Sequence, residues 1–327
     1  MMPSNDAIMQ HKYYDGTAKI ISLSTEIGRL LGVVDATNLR KPPTALRKKN
    51  KVKTIRASLA IEGNTLSEEQ ITALLENKRV IGPVKDIKEV QNAIQVYEQL
   101  SDFDAFSKTS YLRAHEVLMS GLVERPGQFR TGSVGVVQGD RIAHLAPPGC
   151  NVDNLMSSLF DYLERSEDNL IIKSCVFHYE MEFIHPFMDG NGRMGRLWQT
   201  VILMRENPVF EYLPIELEIK KSQKEYYQVL SQCDKEGLST KFIEYILDKI
   251  KLSLEELVSL PQAPLSDLDR LHYFLSQMTA GSFTRKDYQR VFPKISSATA
   301  TRDLRKGIEA GLLLRSGTDR LSTYQKK

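Results

Sequence analysis

The sequence predicts a mainly α-helical protein in two parts: a helical bundle carrying one β-hairpin, and a C-terminal winged helix-turn-helix domain. Three observations predict it. Apolar residues recur at three- and four-residue intervals through most of the chain up to Leu260, the pattern of helices with one buried face. One β-prone segment, Ser133–His144, interrupts that pattern. Beyond Leu260 the chain reads as short helices, a turn and two short strands, the order of a winged helix.

In chain order, helices are predicted over Thr17–Leu31, Thr54–Glu62, Ser67–Asn77, Val84–Leu100, Ser107–Leu118, Val152–Arg165, Leu170–Phe183, Gly192–Arg205, Ser222–Glu236 and Thr240–Leu260. Pro42-Pro43, Gly82-Pro83, Arg125-Pro126-Gly127 and Pro147-Pro148-Gly149 separate them, because proline and glycine break regular structure. The hairpin joins Ser133–Val137 to Arg141–His144 through Gln138-Gly139-Asp140. An isolated hairpin is marginally stable, so it must rest on the helices or await a partner strand. Pro261-Gln262-Ala263-Pro264 reads as a linker. After it come helices at Leu268–Gln277, Arg285–Phe292 and Ser296–Ala310, then a strand pair within Gly311–Tyr324. The expected division is an N-terminal helical region over 1–105, a core over 106–260, and the winged-helix domain over 265–327.

Composition excludes some classes. The 327 residues are 41% hydrophobic and 26% charged, ordinary for a globular protein, and suffice for two or three domains. No apolar run reaches membrane-spanning length, and Met1–Asp6 does not open a secretory signal, so neither a membrane partner nor export is expected. Cys150, Cys175 and Cys233 fit no disulfide framework and no metal spacing, which points to a reducing cytoplasmic setting. The net charge of +3 is uneven, with 11 Lys and Arg against 4 Asp and Glu from Gly281 onward, and 33 against 37 before it. A second basic stretch, Arg40–Arg56, holds eight cations and no acid, and is read as a solvated, partly mobile face.

The chemistry concentrates in His185-Pro186-Phe187-Met188-Asp189-Gly190-Asn191-Gly192-Arg193-Met194-Gly195-Arg196. An apolar helix must end before Pro186, and a second begins near Gly192. Between them Gly190-Asn191-Gly192 permits unusual dihedrals and close backbone approach. Amide groups there, at a helix N-terminus, form an anion pocket. Arg193 and Arg196 project from one side of the first turn, where cations oppose the helix dipole unless an anion arrives. Two guanidinium groups beside a glycine nest fit a polyphosphate. Asp189 is a hard oxygen ligand suited to Mg²⁺, and His185 can accept a proton near neutral pH.

The string matches the signature of the Fic (filamentation induced by cAMP) family, H-x-F-x-[DE]-G-N-G-R-x-x-R, and the chain resembles that family most over Leu112–Leu203. The resemblance implies a helical bundle whose central helix-loop-helix carries the motif. It implies transfer of AMP from ATP to a Ser, Thr or Tyr hydroxyl of a protein, the chain itself included. His185 would then be the base, and Asp189 would hold Mg²⁺ against the α- and β-phosphates. Asn191 and the Gly190 and Gly192 amides would stabilise the α-phosphate. Arg193 would reach the β-phosphate and Arg196 the γ-phosphate, with Phe187 buried to fix the loop. The hairpin matches the family's flap, which would dock the target as an added strand through Val134, Val136 and Ile142. Doc-type kinases carry Lys where this chain has Gly192, so Gly192 points to AMP transfer; nothing names the base.

Upstream, Ser58-Leu59-Ala60-Ile61-Glu62-Gly63-Asn64 matches the family's inhibitory motif, [ST]-x-x-x-E-[GN]. Ser58 and Glu62 are one helical turn apart on the helix over about 54–63. The resemblance implies that Glu62 pairs with Arg196 in the γ-phosphate's place, and that removal of AMP is also open to such an enzyme. In the tail, Arg302, Arg305 and Lys306 lie near one face of Ser296–Ala310, a candidate recognition helix for DNA or a protein-docking module. A homo-oligomer is expected. The alternative function is a DNA-binding regulator whose Fic domain senses nucleotide without transferring it.

Overall fold

The computed structural model describes residues 12–37, 39–132, 135–138, 141–260, 266–276, 278, 281–317 and 322–327. Two units cluster separately, residues 1–40 with 48–259 and residues 41–47 with 260–327.

The first unit opens with α1 (Ala18–Ala36), capped by Thr17, whose Oγ1 accepts from the Ile20 N–H at 3.1 Å. Next, α2 (Thr44–Ile61) begins at Thr44 rather than Thr54. Its first turns are rich in Lys and Arg, good helix formers that show no apolar period, so the pattern hid them. The basic stretch is therefore helical from Thr44, with Lys48, Lys49 and Arg56 exposed and Val52 and Ile55 buried. Then come α3 (Glu68–Leu75), α4 (Val84–Glu98) and α5 (Lys108–Leu118); α3 starts at a Ser67–Gln70 capping box.

The hairpin follows as β1 (Gly135–Gln138) and β2 (Arg141–Leu145), antiparallel, with Val136 opposite His144 and Val137 opposite Ile142. A bulge falls between Val136 and Val137. Val134 lies outside the described residues. The unit continues through α6 (Val152–Arg165), α7 (Leu170–Ile184), α8 (Asn191–Glu206), α9 (Ile215–Lys221), α10 (Gln223–Glu236) and α11 (Thr240–Ser259). The short helix α9 was not foreseen. It follows Pro214 and is too brief to display a period.

The bounds of α6 match expectation because Val152, Met156, Leu159, Phe160 and Leu163 form one buried stripe. By contrast α7 is apolar nearly all round and buried on nearly all sides, the mark of a central helix. It packs against α8, and Tyr111, Phe160, Phe177, Phe187 and Trp198 meet around the pair. That aromatic core is what holds the α7–α8 loop in place.

The second unit has α12 (Asp267–Ser276), β3 (Ser282–Thr284), α13 (Arg285–Val291), α14 (Ser297–Glu309), β4 (Leu313–Ser316) and β5 (Thr323–Lys326). The strands form one antiparallel sheet in the order β3-β5-β4, over a core that includes Leu271, Phe274, Phe283, Tyr288, Leu304 and Leu313. This is the winged-helix plan, with β3 an addition to the two expected strands. Three residues carry too little pattern to announce a strand. Among the described residues, no helix is long and apolar enough to cross a membrane.

Candidate functional site

The site is the turn between α7 and α8. Pro186 stops α7, and His185 takes a left-handed conformation, φ 52°, as its C-cap. The His185 N–H donates to the Met181 carbonyl at 2.9 Å. Its Nδ1 stands 3.4 Å from the Glu182 carbonyl, which can only accept. The tautomer that pairs there carries its proton on Nδ1 and its lone pair on Nε2.

Phe187 is fully buried, stacked on the His115 ring with centroids 3.6 Å apart. His115 also receives the Gly127 N–H on Nδ1 at 2.8 Å, so its Nε2–H donates to the Asp189 carbonyl at 3.0 Å. Burial pushes its imidazole down to about 4, so it stays neutral around pH 7. His115 lies on the apolar face of α5 with Tyr111, Ala114 and Leu118. A lone His on such a stripe was the available signal for this loop clamp, and sequence reading passed over it.

Asn191 is buried and spent on Phe187: its Oδ1 accepts from the Phe187 N–H at 2.8 Å, and its Nδ2 donates to the Phe187 carbonyl at 2.9 Å. These two bonds tie its side chain into the loop. Gly190 opens α8 with φ 88°, a conformation that only glycine adopts without strain. Its N–H donates to Asp189 Oδ1 at 2.6 Å.

Both motif arginines are buried. Arg193 Nη2 donates to Asp189 Oδ1 at 2.9 Å and Nη1 to Glu89 Oε1 at 3.2 Å. Glu89, on α4, also receives Asn64 Nδ2 at 2.8 Å, so one carboxylate links Arg193 to the end of α2. Arg196 donates from Nε to Ser58 Oγ at 3.1 Å, and from Nη2 to the Ser58 carbonyl at 3.0 Å and to Glu62 Oε1 at 2.7 Å. Burial works against its charge, yet Glu62 and neighbouring groups hold its pKa above the ordinary arginine value. Arg196 Nη1 and Arg193 Nε are buried without a hydrogen-bond partner. Gly192 makes this approach possible, since a Cβ there would stand 2.5 Å from Glu62 Oε1.

Ser58, Glu62, Asp189, Gly190, Gly192, Arg193 and Arg196 thus meet at one helix N-terminus, with His185 at the other end of the loop. Glu89 escaped sequence reading, because it carries no local pattern; only the packing brings it here. Val136 and Ile142 lie on the hairpin strands. In the second unit, Arg302 and Arg305 on α14 are exposed; Arg305 lies 3.5 Å from Glu309, and Lys306 pairs with Asp267 at 2.5 Å.

Known proteins resemble this chain in the same region. The Fic/DOC family profile matches residues 105–203. Protein adenylyltransferase fic-1 of Caenorhabditis elegans is 30% identical over 215 residues, covering 62% of this chain and 40% of that protein. Protein adenylyltransferase Fic of Culex quinquefasciatus is 29% identical over 211 residues, 61% and 40% of the two chains. This chain therefore spans about two fifths of the length of those curated relatives. The crystal structure of a Fic family protein from Desulfovibrio desulfuricans G20 aligns with a TM-score of 0.74 and 37% identity, covering 97% of this chain and 98% of that one. Residues 134–508 of Fic-1 from C. elegans align at a TM-score of 0.61 and 24% identity, over 73% and 72%, a likeness of fold.

Proposed function

The chain belongs to the Fic family, and from that premise we propose that it is a protein adenylyltransferase held in check by Glu62. One observation carries the reading. The second motif guanidinium is buried, with Nη2 engaged by Glu62 and Nη1 left without a hydrogen-bond partner in an anion-binding turn. A buried cation with a spare donor beside a helix N-terminus is suited to a phosphate that displaces the carboxylate.

In this reading ATP lays its phosphates across the start of α8. Arg196 exchanges Glu62 for the γ-phosphate, and Arg193 exchanges Asp189 for the β-phosphate. The target hydroxyl oxygen bonds to the α-phosphorus as the bond to the bridging oxygen of the β-phosphate breaks. Pyrophosphate leaves, and the hydroxyl proton passes to His185 Nε2. The residues fit Mg²⁺ as well: Asp189 presents a carboxylate 51% exposed at the pocket's edge, and Mg²⁺ takes one or two carboxylates with waters and phosphate oxygens. When bound, the ion would neutralise phosphate charge. Asn191 serves by holding the loop, which leaves the first-turn amides of α8 to face the α-phosphate.

The nucleotide-sensing regulator is not favoured, because a sensor has no use for the base at His185. For the second unit, the exposed Arg302 and Arg305, with the half-exposed Lys306 on the same helix, support contact with nucleic-acid phosphates.

The test is label incorporation from α-labelled ATP with Mg²⁺, using purified protein alone and with cell lysate. Glu62→Gly should raise transfer more than tenfold, since a charge-assisted pair is worth ~1.5–3 kcal/mol and ~1.4 kcal/mol is tenfold. Adding His185→Ala should then lower it about 10²–10⁴-fold while ATP still binds. No label in Glu62→Gly, or full label without His185, would sink the proposal.

A further inference from the structure

Arg130 lies in the loop between α5 and β1, outside the motif, and nothing above uses it. The residue is 3% exposed, and every partner described for its guanidinium is a backbone carbonyl. Nε donates to His185 O at 2.7 Å, Nη1 to Gly132 O at 2.6 Å, and Nη2 to Pro147 O at 2.7 Å and Ile184 O at 3.0 Å. Its own N–H donates to Pro186 O at 2.9 Å.

These carbonyls fall in two groups. Ile184, His185 and Pro186 lie at the C-terminal end of α7, where the last carbonyls lack intrahelical donors and the dipole favours a cation. Gly132 and Pro147 flank the hairpin, one before β1 and one after β2. A single side chain therefore ties both roots of the hairpin to the residue proposed as the base. His185 also needs this support. A non-glycine residue at φ 52° sits in a sparsely populated region and persists only where its surroundings over-determine it.

We propose that Arg130 is a positioning residue that fixes His185 and the hairpin in one frame. The hairpin presents the target hydroxyl and His185 accepts its proton, and Arg130 sets the separation between them. This rests on the proposed function, so the test has one arm that needs no activity.

The first arm uses Arg130→Lys and Arg130→Ala in the Glu62→Gly background. A lysine cannot span four carbonyls, so kcat should fall about tenfold in Arg130→Lys and on the order of 10²-fold in Arg130→Ala, the scale of an ångström's misplacement. The KM for the target should rise. Binding of a non-hydrolysable ATP analogue with Mg²⁺, read by calorimetry, should hold, because Arg130 is bonded to neither motif arginine. Unchanged kcat, or nucleotide affinity falling in step with kcat, overturns the proposal.

The second arm is hydrogen exchange on Arg130→Lys in the otherwise native chain. Amides of β1, β2, His185 and Phe187 should exchange faster together while those of α2 and the body of α8 do not. Acceleration in only one of the two places, or in neither, overturns it even if no transfer is ever seen. Absence of label in the Glu62→Gly parent would count against the proposed function instead.

Discussion

Each unit contains a buried arginine facing a carboxylate, and the two pairs are built differently. In the second unit, Arg270 donates from Nε and Nη2 to the two oxygens of Asp303 at 2.7 and 2.9 Å, and Tyr288 adds its hydroxyl at 3.1 Å. The Asp303 side chain is 0% exposed. In the first unit, Arg196 meets Glu62 through one contact, Glu62 is 31% exposed, and Arg196 Nη1 has no hydrogen-bond partner. The bidentate pair uses both carboxylate oxygens and is closed to solvent, as suits a framework contact. The single contact is partly open to solvent and leaves Nη1 unbonded, which is what the proposed exchange for a phosphate would require. The two pairs thus differ in geometry and exposure, which suits them to different work.

Three experiments would break or sharpen that contrast. The largest effect is expected at Asp303→Asn, which leaves Arg270 buried against a neutral amide. Breaking such a pair costs about 3–5 kcal/mol, which amide exchange within α14 should register. A loss under 1 kcal/mol would dissolve the distinction. Glu62→Gly should cost less, roughly 1–2 kcal/mol of stability, because Ser58 still holds Arg196 and water reaches the vacated space. A nucleotide analogue with Mg²⁺ at a hundred times its Kd should restore about 2.7 kcal/mol to that variant, seen as a raised unfolding midpoint. The same ligand should not rescue α14 in Asp303→Asn.

The smallest effect belongs to Arg305, whose side chain is 70% exposed beside Glu309 at 3.5 Å. Arg305→Ala should change stability by no more than ~0.5 kcal/mol. If the full chain binds DNA, the same change should lower the magnitude of its salt slope by about one. An unaltered slope would move any nucleic-acid contact off this face of α14.

How much of this could be read beforehand follows from what is local. The turn from His185 to Arg196 was legible because its glycines, charges and proline each dictate a conformation or a charge state within a few residues. The pairing of Glu62 with Arg196 was expected only through the family resemblance, since 134 positions separate them. Asn191 received a phosphate role from that same resemblance, and its bonds to both backbone groups of Phe187 add a loop-shaping contact that no local pattern announced. Arg130 and Glu89 were not visible. A cation that ends up among carbonyls, and a carboxylate that bridges two helices, look on paper like any surface residue. The first turns of α2 were missed for a related reason, as lysine and arginine favour a helix without marking its buried side.

The 2.5 Å gap between a notional Cβ on Gly192 and Glu62 Oε1 has one more consequence. Donor chemistry and restraint share the same few cubic ångströms. A side chain at this position would have to push the tip of Glu62 aside, with Arg196 Nη1 only 3.2 Å from the same point. If Glu62 restrains the site as proposed, a substitution at Gly192 would release that safety catch without altering the glutamate itself.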